Sequence, residues 1–228
     1  MTNKIKDVFF DLDHTLWDFE KNSSLTLKKI FEVNQLEIDL DVFLEAYVPI
    51  NFEYWKRFRM GEVDKETLRF GRLNDTFNQL KTPVESHIVN KLSDDYLSYL
   101  SSFNYLFKDT VSILNYLQPK YNLHIITNGF EEVQTSKLTN SNIIKYFKTV
   151  TNSEEAGVKK PHPDIFNYAL NKANAEVNSS MMIGDNLEAD ILGAINIGFQ
   201  AIYFNEIPLT EHHNITQIDK LIELKKYL

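Results

Sequence analysis

The feature that constrains the fold most is a pair of short apolar runs, each followed directly by acidic residues: Val8–Phe10 before Asp11, and Met181–Ile183 before Gly184-Asp185. Apolar runs of this length, bounded by turn residues, are typical of buried parallel strands. In an open α/β sheet, ligands bind beyond the carboxyl ends of such strands. The sequence therefore predicts that several carboxylates meet at one sheet edge. They would repel each other there without a cation, which favours a hard divalent ion with oxygen ligands.

Strand and helix patterns alternate in the second half of the chain. Further strands are predicted at Leu123–Ile126, Thr149–Asn152 and Ala201–Phe204, with helices at Asp164–Asn174, Glu188–Ile195 and Thr216–Tyr227. Repeated βα units indicate a parallel sheet covered by helices on both faces. The predicted fold class is α/β, with a doubly wound, Rossmann-like parallel-sheet core.

The segment between the first strand, residues 6–10, and this alternating region has a different pattern. From about Asn22 to about Phe107 the apolar residues recur at helical spacing, without a convincing buried strand. This pattern is typical of a helical bundle. We expect a core of residues 1–17 and 108–228, and an α-helical cap of residues 18–107 inserted after the first strand, over its carboxyl end.

Composition limits the partners and the compartment. The chain has 228 residues, no cysteine and a formal net charge of −8. This charge argues against DNA or RNA as a partner, whereas a metal and one lysine suffice to neutralise a small phosphorylated molecule. Without cysteine, disulfides and thiolate-bound zinc are excluded. No apolar run has the length of a signal peptide or a membrane span, so the cytoplasm is the expected compartment.

Asp11 and Asp13 lie two residues apart where the first strand ends, so strand periodicity predicts that their side chains face the same side. Two close carboxylates beside a cation can divide roles, one as ligand and nucleophile and the other as acid and base. Taken alone, an Asp-x-Asp pair also fits two acidic turn residues that cap a helix.

Two further segments offer groups for an anion. Thr127 and Asn128 end one predicted strand and open a helix, where a hydroxyl and free amides can bind phosphate, although taken alone the motif fits an ordinary N-cap and turn better. Lys160 precedes Pro161, which disfavours helical geometry at the lysine. A lysine held before a helix start suits phosphate neutralisation, and the alternative is a basic surface loop.

Asp185 and Asp190 straddle a strand-to-helix turn. Asp185 suits a direct metal ligand, and Asp190, about one turn into the helix, suits a supporting role that holds a metal-bound water or orients Lys160. The alternative for Asp185 is a helix N-cap. The joint pattern carries more weight than any one motif, because four separate βα junctions each bear a group suited to phosphate or metal.

This ordered set resembles the haloacid dehalogenase-like (HAD) phosphohydrolase superfamily, at residues 11–16, 126–129, 160–166 and 183–190, and the helical insert is similar to the superfamily's C1-type cap. The resemblance implies that Asp11 attacks phosphorus to form an aspartyl-phosphate. It implies that Asp13 protonates the leaving alkoxide and then deprotonates the hydrolytic water. It further implies that Thr127 and Lys160 hold phosphoryl oxygens, and that Asp11, the main-chain carbonyl of Asp13 and Asp185 bind Mg²⁺.

Within the superfamily, residues 13–19 and the tail from Asn205 are similar to bacterial pyrimidine 5′-nucleotidases. The predicted function is a Mg²⁺-dependent nucleoside 5′-monophosphate phosphatase that prefers pyrimidines. The alternatives are a phosphoglycolate or sugar-phosphate phosphatase, a phosphosugar mutase, and a non-catalytic receiver-like phosphate-binding module. A receiver has no long helical insert after its first strand. A dehalogenase needs neither a metal nor a second aspartate, so that reaction is disfavoured.

Overall fold

The computed structural model describes residues 4–210 and 214–228. The strands are β1 (Asp7–Phe10), β2 (Asn122–Thr127), β3 (Phe147–Asn152), β4 (Ser180–Gly184), β5 (Gln200–Phe204) and β6 (Thr216–Ile218). The α-helices are α1 (Phe19–Val33), α2 (Leu40–Arg59), α3 (Lys65–Gln79), α4 (Ser86–Leu100), α5 (Thr110–Leu117), α6 (Glu131–Asn140), α7 (Ser153–Ala156), α8 (Pro163–Ala173) and α9 (Gly193–Ile197). A π-helix covers Leu187–Leu192, and 3₁₀ turns cover Ile144–Tyr146, Val177–Ser179 and Leu221–Lys226.

The six strands form one sheet in the order β3-β2-β1-β4-β5-β6, and every neighbouring pair is parallel. Every residue of β1 and β4 is buried, as expected for strands covered on both faces. Helices from segments between strands, such as α8 and α9, pack against the sheet. The predicted α/β, Rossmann-like fold class is thereby confirmed.

The strand order reverses at β1, which pairs with β2 on one side and with β4 on the other. Phe10, the last residue of β1, is level with Ile125 of β2 and Ile183 of β4. The three strands therefore end close together. Crevices outside the carboxyl ends of strands at such a switch point are where α/β proteins bind ligands.

One face of the sheet packs against α8 and α9 through a buried apolar cluster. Phe9 and Met182 from the sheet meet Phe166 of α8 and Ala194 of α9 there. Helix α8 begins with Pro163 in its first turn, a position that suits proline because the N–H that proline lacks would be unpaired there. This packing fixes the position of the segment just before α8, which contains Lys160.

The chain forms two compact units, one of Met1–Phe19 with Asn104–Leu228 and one of Glu20–Phe103. The second unit is helical, with the N-terminal amides of α2 and α3 capped by Asp39 and Asp64. Its buried apolar side chains come from all four helices, as the helical periodicity predicted. They include Leu27, Phe43, Leu73 and Leu92. The division into two separate domains stays a prediction, because a compact unit need not fold independently.

The predicted C-terminal helix at Thr216–Tyr227 is wrong. Thr216–Ile218 is the edge strand β6, parallel to β5, and a 3₁₀ turn over Leu221–Lys226 follows. Apolar residues from Ile218 to Leu224 recur at a spacing that also fits a helix. Residues Thr216–Ile218 instead pair with the otherwise unpaired main-chain groups at the edge of β5. The β-branched side chains of Thr216 and Ile218 also suit an extended backbone.

Candidate active site

Three neighbouring strands bring the predicted site residues to one sheet edge. Asp11 directly follows β1, Thr127 ends β2 and Asp185 directly follows β4. These strands are adjacent in the sheet, with β1 in the centre. Residues far apart in the sequence thus meet at the switch point, where the sequence predicted a carboxylate cluster.

The buried ammonium group of Lys160 joins two of the predicted carboxylates. Its Nζ lies 2.5 Å from Asp11 Oδ1, 2.7 Å from Asp190 Oδ1 and 2.7 Å from the main-chain oxygen of Ile126. An ammonium group has three N–H donors, so these three acceptors satisfy it. Lys160 therefore orients the Asp11 carboxylate and offsets the charge of both acids. The supporting role predicted for Asp190 agrees with this contact.

Carboxylate oxygens from Asp11, Asp185 and Asp190 lie within 4.8 Å of one another. Thr15 Oγ1 donates a hydrogen bond to Asp185 Oδ1 at 3.1 Å. Asp185 is not the helix N-cap, because that position belongs to Asn186, whose side chain accepts from the amide of Ala189. Its carboxylate therefore remains directed toward the cluster.

Position 184, at this turn, is too close to Asp190 for any residue with a Cβ atom. A Cβ atom at this position would lie 2.4 Å from Asp190 Oδ2, far inside van der Waals contact. The same Asp190 oxygen accepts from the amide of Asn186 at 3.1 Å. Only glycine lets Asp190 fold back from the π-helix against the end of β4 and reach Lys160.

The electrostatics of the cluster disfavour the ionised forms of Asp11 and Asp185. Burial raises the pKa of Asp11 well above its ordinary value, Lys160 opposes this rise, and Asp190 and Asp185 add to it. Burial together with the neighbouring Asp190 raises the pKa of Asp185 to about 8. Burial alone would lower the pKa of Lys160, but the Asp11 and Asp190 carboxylates outweigh burial and raise it. A second cation beside Asp11 and Asp185 would relieve their repulsion.

The Asp13 side chain lies with a different set of partners. Gln134 Nε2 donates to Asp13 Oδ2 at 2.7 Å, and Lys137 Nζ lies 2.5 Å from Asp13 Oδ1. Both partners come from α6, and neither was predicted from the sequence. The available signal was their three-residue spacing on the helix that follows Thr127, which places both on one helix face. The two aspartates are thus held separately, Asp11 by Lys160 and Asp13 by α6.

Thr127 and Asn128 shape the turn between β2 and α6. Thr127 Oγ1 accepts from Gly129 N at 3.1 Å and from Gln134 Nε2 at 2.6 Å. Thr127 is not the N-cap of α6, which is Phe130. The Asn128 side chain accepts from Lys160 N at 2.8 Å and donates to Lys160 O at 3.0 Å, so it fixes the lysine main chain. Because the Asn128 side chain is bonded to Lys160, a contact between Asn128 and the substrate would have to come from its main chain.

A family model described as haloacid dehalogenase-like hydrolase matches residues 5–198. The chain belongs to this family. Its matched region contains every site residue discussed above, from Asp11 to Asp190. The predictions of a HAD-like hydrolase and of a phosphatase enzyme are thereby confirmed, whereas the family alone does not specify the substrate.

Named relatives of this HAD-like chain act on more than one class of phosphate ester. The pyrimidine 5′-nucleotidase PynA of Streptococcus pneumoniae is 30% identical over 227 residues, 97% of this chain and 92% of that protein. The glyceraldehyde 3-phosphate phosphatase of Methanothermobacter thermautotrophicus is 29% identical over 235 residues, 98% of this chain and all (100%) of that protein.

A solved structure is similar to the HAD-like chain over its whole length. The putative HAD-hydrolase YfnB of Bacillus subtilis, solved bound to magnesium, matches with a TM-score of 0.89 at 26% identity. The match covers 99% of each chain. Among the described residues, no helix combines the length and apolar character needed to cross a membrane.

Proposed function

We propose that this protein is a Mg²⁺-dependent phosphomonoester hydrolase that acts through an aspartyl-phosphate and prefers nucleoside 5′-monophosphates of the pyrimidines. One observation carries the proposal. The buried Asp11 carboxylate is oriented by Lys160 beside Asp185, while Asp13, two residues on, is held by separate donors from α6. This arrangement separates a nucleophile from an acid and base, as two-step phosphoryl transfer requires.

The donor atoms fit a hard divalent cation. Asp11, Asp185 and Asp190 offer only carboxylate oxygens, which Mg²⁺ prefers over nitrogen or sulfur ligands. Asp190 already pairs with Lys160, so Asp11, Asp185 and the main-chain carbonyl of Asp13 are the proposed ligands. When bound, Mg²⁺ offsets negative charge on the transferring phosphoryl group. The magnesium bound to the similar YfnB supports this choice.

In the proposed reaction, an Asp11 carboxylate oxygen attacks phosphorus and the bond to the leaving alkoxide breaks. Asp13 transfers its proton to that alkoxide, which leaves as the alcohol. Asp13, now a carboxylate, then takes a proton from water, and the hydroxide formed attacks the aspartyl-phosphate to release phosphate and regenerate Asp11. Thr127 is proposed to donate to a phosphoryl oxygen, and Lys160 is proposed to turn one N–H from its present acceptors to another phosphoryl oxygen when the substrate binds. Positioning and charge neutralisation then provide most of the acceleration.

The substrate is proposed to be small. The net charge of −8 opposes binding of nucleic acid, whereas the proposed metal and Lys160 suffice for one monophosphate. The helical segment, residues 18–107, is proposed to be the cap that selects the alcohol part of the substrate. The similarity to PynA supports a pyrimidine nucleotide. The similarity to the glyceraldehyde 3-phosphate phosphatase supports a sugar phosphate as the second candidate.

A panel of phosphomonoesters tests the substrate class. We expect the highest kcat/KM for UMP and dTMP, lower values for GMP, and the lowest for phosphoglycolate and sugar phosphates, all dependent on Mg²⁺. Phosphate release is measured with each ester, with and without EDTA. A maximum for phosphoglycolate or a sugar phosphate would replace the nucleotidase assignment but keep the mechanism. A phosphosugar mutase would isomerise its substrate with little phosphate release, and a receiver-like module would turn over none of the esters.

The substitution Asp13→Asn tests the separation of roles. We expect kcat to fall by roughly 10²–10⁴-fold, the usual scale for loss of general acid–base catalysis. The affinity for Mg²⁺ should change little, because the Asp13 side chain lies with Gln134 and Lys137 and the variant retains its main-chain carbonyl. Steady-state kinetics and calorimetric Mg²⁺ titration measure the two quantities. Parallel losses of activity and metal affinity would instead make the Asp13 side chain a metal ligand.

A further inference from the structure

Helix α6 places two polar side chains on the same catalytic carboxylate. Gln134 and Lys137 are three residues apart, so both lie on one face of the helix. Gln134 is 1% exposed and Lys137 is 2% exposed, although residues of these types are mostly found at the surface. Their amide and ammonium groups each meet one oxygen of Asp13, at 2.7 Å and 2.5 Å. Two donors on two different oxygens fix the orientation of the carboxylate plane.

The surroundings of Lys137 hold its side chain in place. Its Nζ lies 4.3 Å from the centre of the Trp17 ring and 5.3 Å from that of Phe19, both within the range of cation–π attraction. Burying an ammonium group is costly, and a salt bridge with a partly exposed carboxylate such as that of Asp13 regains little of this cost. An apolar side chain would fill this space at lower cost. The arrangement is therefore better explained by control of the Asp13 carboxylate than by stability.

Gln134 connects Asp13 to the hydroxyl group of Thr127. Its Nε2 donates to Asp13 Oδ2 at 2.7 Å and to Thr127 Oγ1 at 2.6 Å. Within residues 4–210 and 214–228, the buried Oε1 atom of Gln134 accepts no hydrogen bond. The side-chain hydrogen bonds of Gln134 in this part of the chain are therefore made by Nε2. Gly129 leaves room for this contact, because a Cβ atom there would lie 2.1 Å from Gln134 Nε2.

The two bonds accepted by Thr127 determine what its own proton can do. A hydroxyl oxygen has two lone pairs and one O–H donor. Gly129 N and Gln134 Nε2 occupy both lone pairs of Thr127 Oγ1. The O–H bond then points away from both donors and remains available to a phosphoryl oxygen. Gln134 thus orients a phosphate donor and the acid–base carboxylate through one nitrogen atom.

We infer that Gln134 and Lys137 are positioning residues for Asp13, and that Gln134 also directs the Thr127 hydroxyl group toward the phosphoryl group. This inference rests on the proposed function, in which Asp13 protonates the leaving group. Neither side chain reacts with the substrate. They act by keeping the Asp13 carboxylate within reach of the leaving oxygen, where a misplacement of about 1 Å costs on the order of 10²-fold in rate.

The experiment compares esters whose leaving groups need different amounts of protonation. The alkoxide released from UMP is strongly basic and needs a proton, whereas p-nitrophenolate is weakly basic and leaves without one. For Lys137→Met we expect kcat/KM for UMP to fall by roughly 10–10²-fold and kcat/KM for p-nitrophenyl phosphate to fall by less than about threefold. For Gln134→Met both values should fall, because the Thr127 hydroxyl group also loses its partner, and the value for UMP should fall by roughly tenfold more. The variant Lys137→Arg should recover part of the loss, because a guanidinium group also donates to a carboxylate.

Two variants serve as matched controls. Lys172→Met removes a lysine that pairs with Glu155 instead of Asp13, and Gln118→Met removes an exposed glutamine that contacts Lys145 O. Both should retain the activity of the parent protein with both esters. Circular dichroism and thermal denaturation establish that each variant is folded. Should Lys137→Met fail to fold, Lys137→Arg and Gln134→Met carry the comparison.

Asp13→Asn separates failure of the inference from failure of the proposed function. If Asp13→Asn shows the leaving-group dependence and the α6 variants lose activity equally with both esters, the positioning role is refuted and the proposed function stands. Full activity of Gln134→Met and Lys137→Met with UMP would also refute the positioning role. If Asp13→Asn itself shows no leaving-group dependence, Asp13 is not the general acid, and the proposed function and the inference both fall.

Discussion

Asp11→Asn is expected to lose phosphatase activity by roughly 10⁴–10⁶-fold, the scale seen when a covalent nucleophile is removed. The amide nitrogen and oxygen keep the shape of the side chain but cannot attack phosphorus as a carboxylate does. The pair with Lys160 Nζ is weakened at the same time. Phosphate release from UMP under saturating Mg²⁺ measures the loss.

The fold of this variant should persist, because burial raises the pKa of Asp11 and its ionised form is therefore costly in the folded state without metal. Asp164→Asn makes the same change at an exposed aspartate of the α/β part of the chain. It is the control and should remain fully active. Activity of Asp11→Asn within tenfold of the parent protein, in a preparation free of deamidated chain, would remove Asp11 as the nucleophile.

Asp185→Asn is expected to abolish most of the stabilisation by Mg²⁺. A ligand present at about 100 times its dissociation constant stabilises a folded protein by about 2.7 kcal/mol, and loss of one carboxylate ligand removes most of this gain. Thermal denaturation with EDTA and with Mg²⁺ gives the change for each variant. Glu188→Gln neutralises an exposed acid of the same turn and should leave the effect of Mg²⁺ unaltered. An equal rise in melting temperature in Asp185→Asn would exclude Asp185 as a ligand.

Without metal, the same variant should be more stable than the parent protein at neutral pH. The pKa of Asp185 is raised to about 8 by burial and by Asp190, whereas an unfolded aspartate titrates near pH 3.9. Between these values the folded state binds more protons than the unfolded state, so the free energy of unfolding falls as pH rises. Asparagine does not titrate. In EDTA, the melting temperature of Asp185→Asn should therefore exceed that of the parent by several degrees around pH 7–8, and the difference should vanish near pH 4.

The positions of Asp11, Thr127 and Asp185 at one edge were predictable because each follows or ends an apolar strand. A parallel sheet then brings strand ends together whatever the intervening sequence. Lys160 was predictable as a member of the site from its place before Pro161, and Asp190 was predictable as a group that could orient it. The contacts of Lys160 with Asp11 and with the main-chain oxygen of Ile126 were not predictable, because they depend on packing that a single sequence does not specify.

Gln134 and Lys137 were missed for a physical reason. Polar residues on an amphipathic helix usually face solvent, and the three-residue spacing of Gln134 and Lys137 places them on one face of α6 without marking that face as buried. The prediction of a helix at Thr216–Tyr227 was wrong for a related reason. Local periodicity favoured a helix, while the unpaired edge of β5 determined the actual structure, and that edge is not a local property of the segment.

The central place of β1 in the sheet has a consequence for biosynthesis. Asp7 at its start is level with Asn122 of β2 and with Ser180 of β4. Strand β1, with Asp11 directly after it, therefore emerges from the ribosome long before either of its neighbouring strands. Non-local pairings of this kind form slowly and only after the intervening chain has been made. A nascent chain that ends just before Asp185 carries Asp11 and Lys160 but lacks Asp185 and Asp190, so the carboxylate cluster cannot form until that later part of the chain has been made.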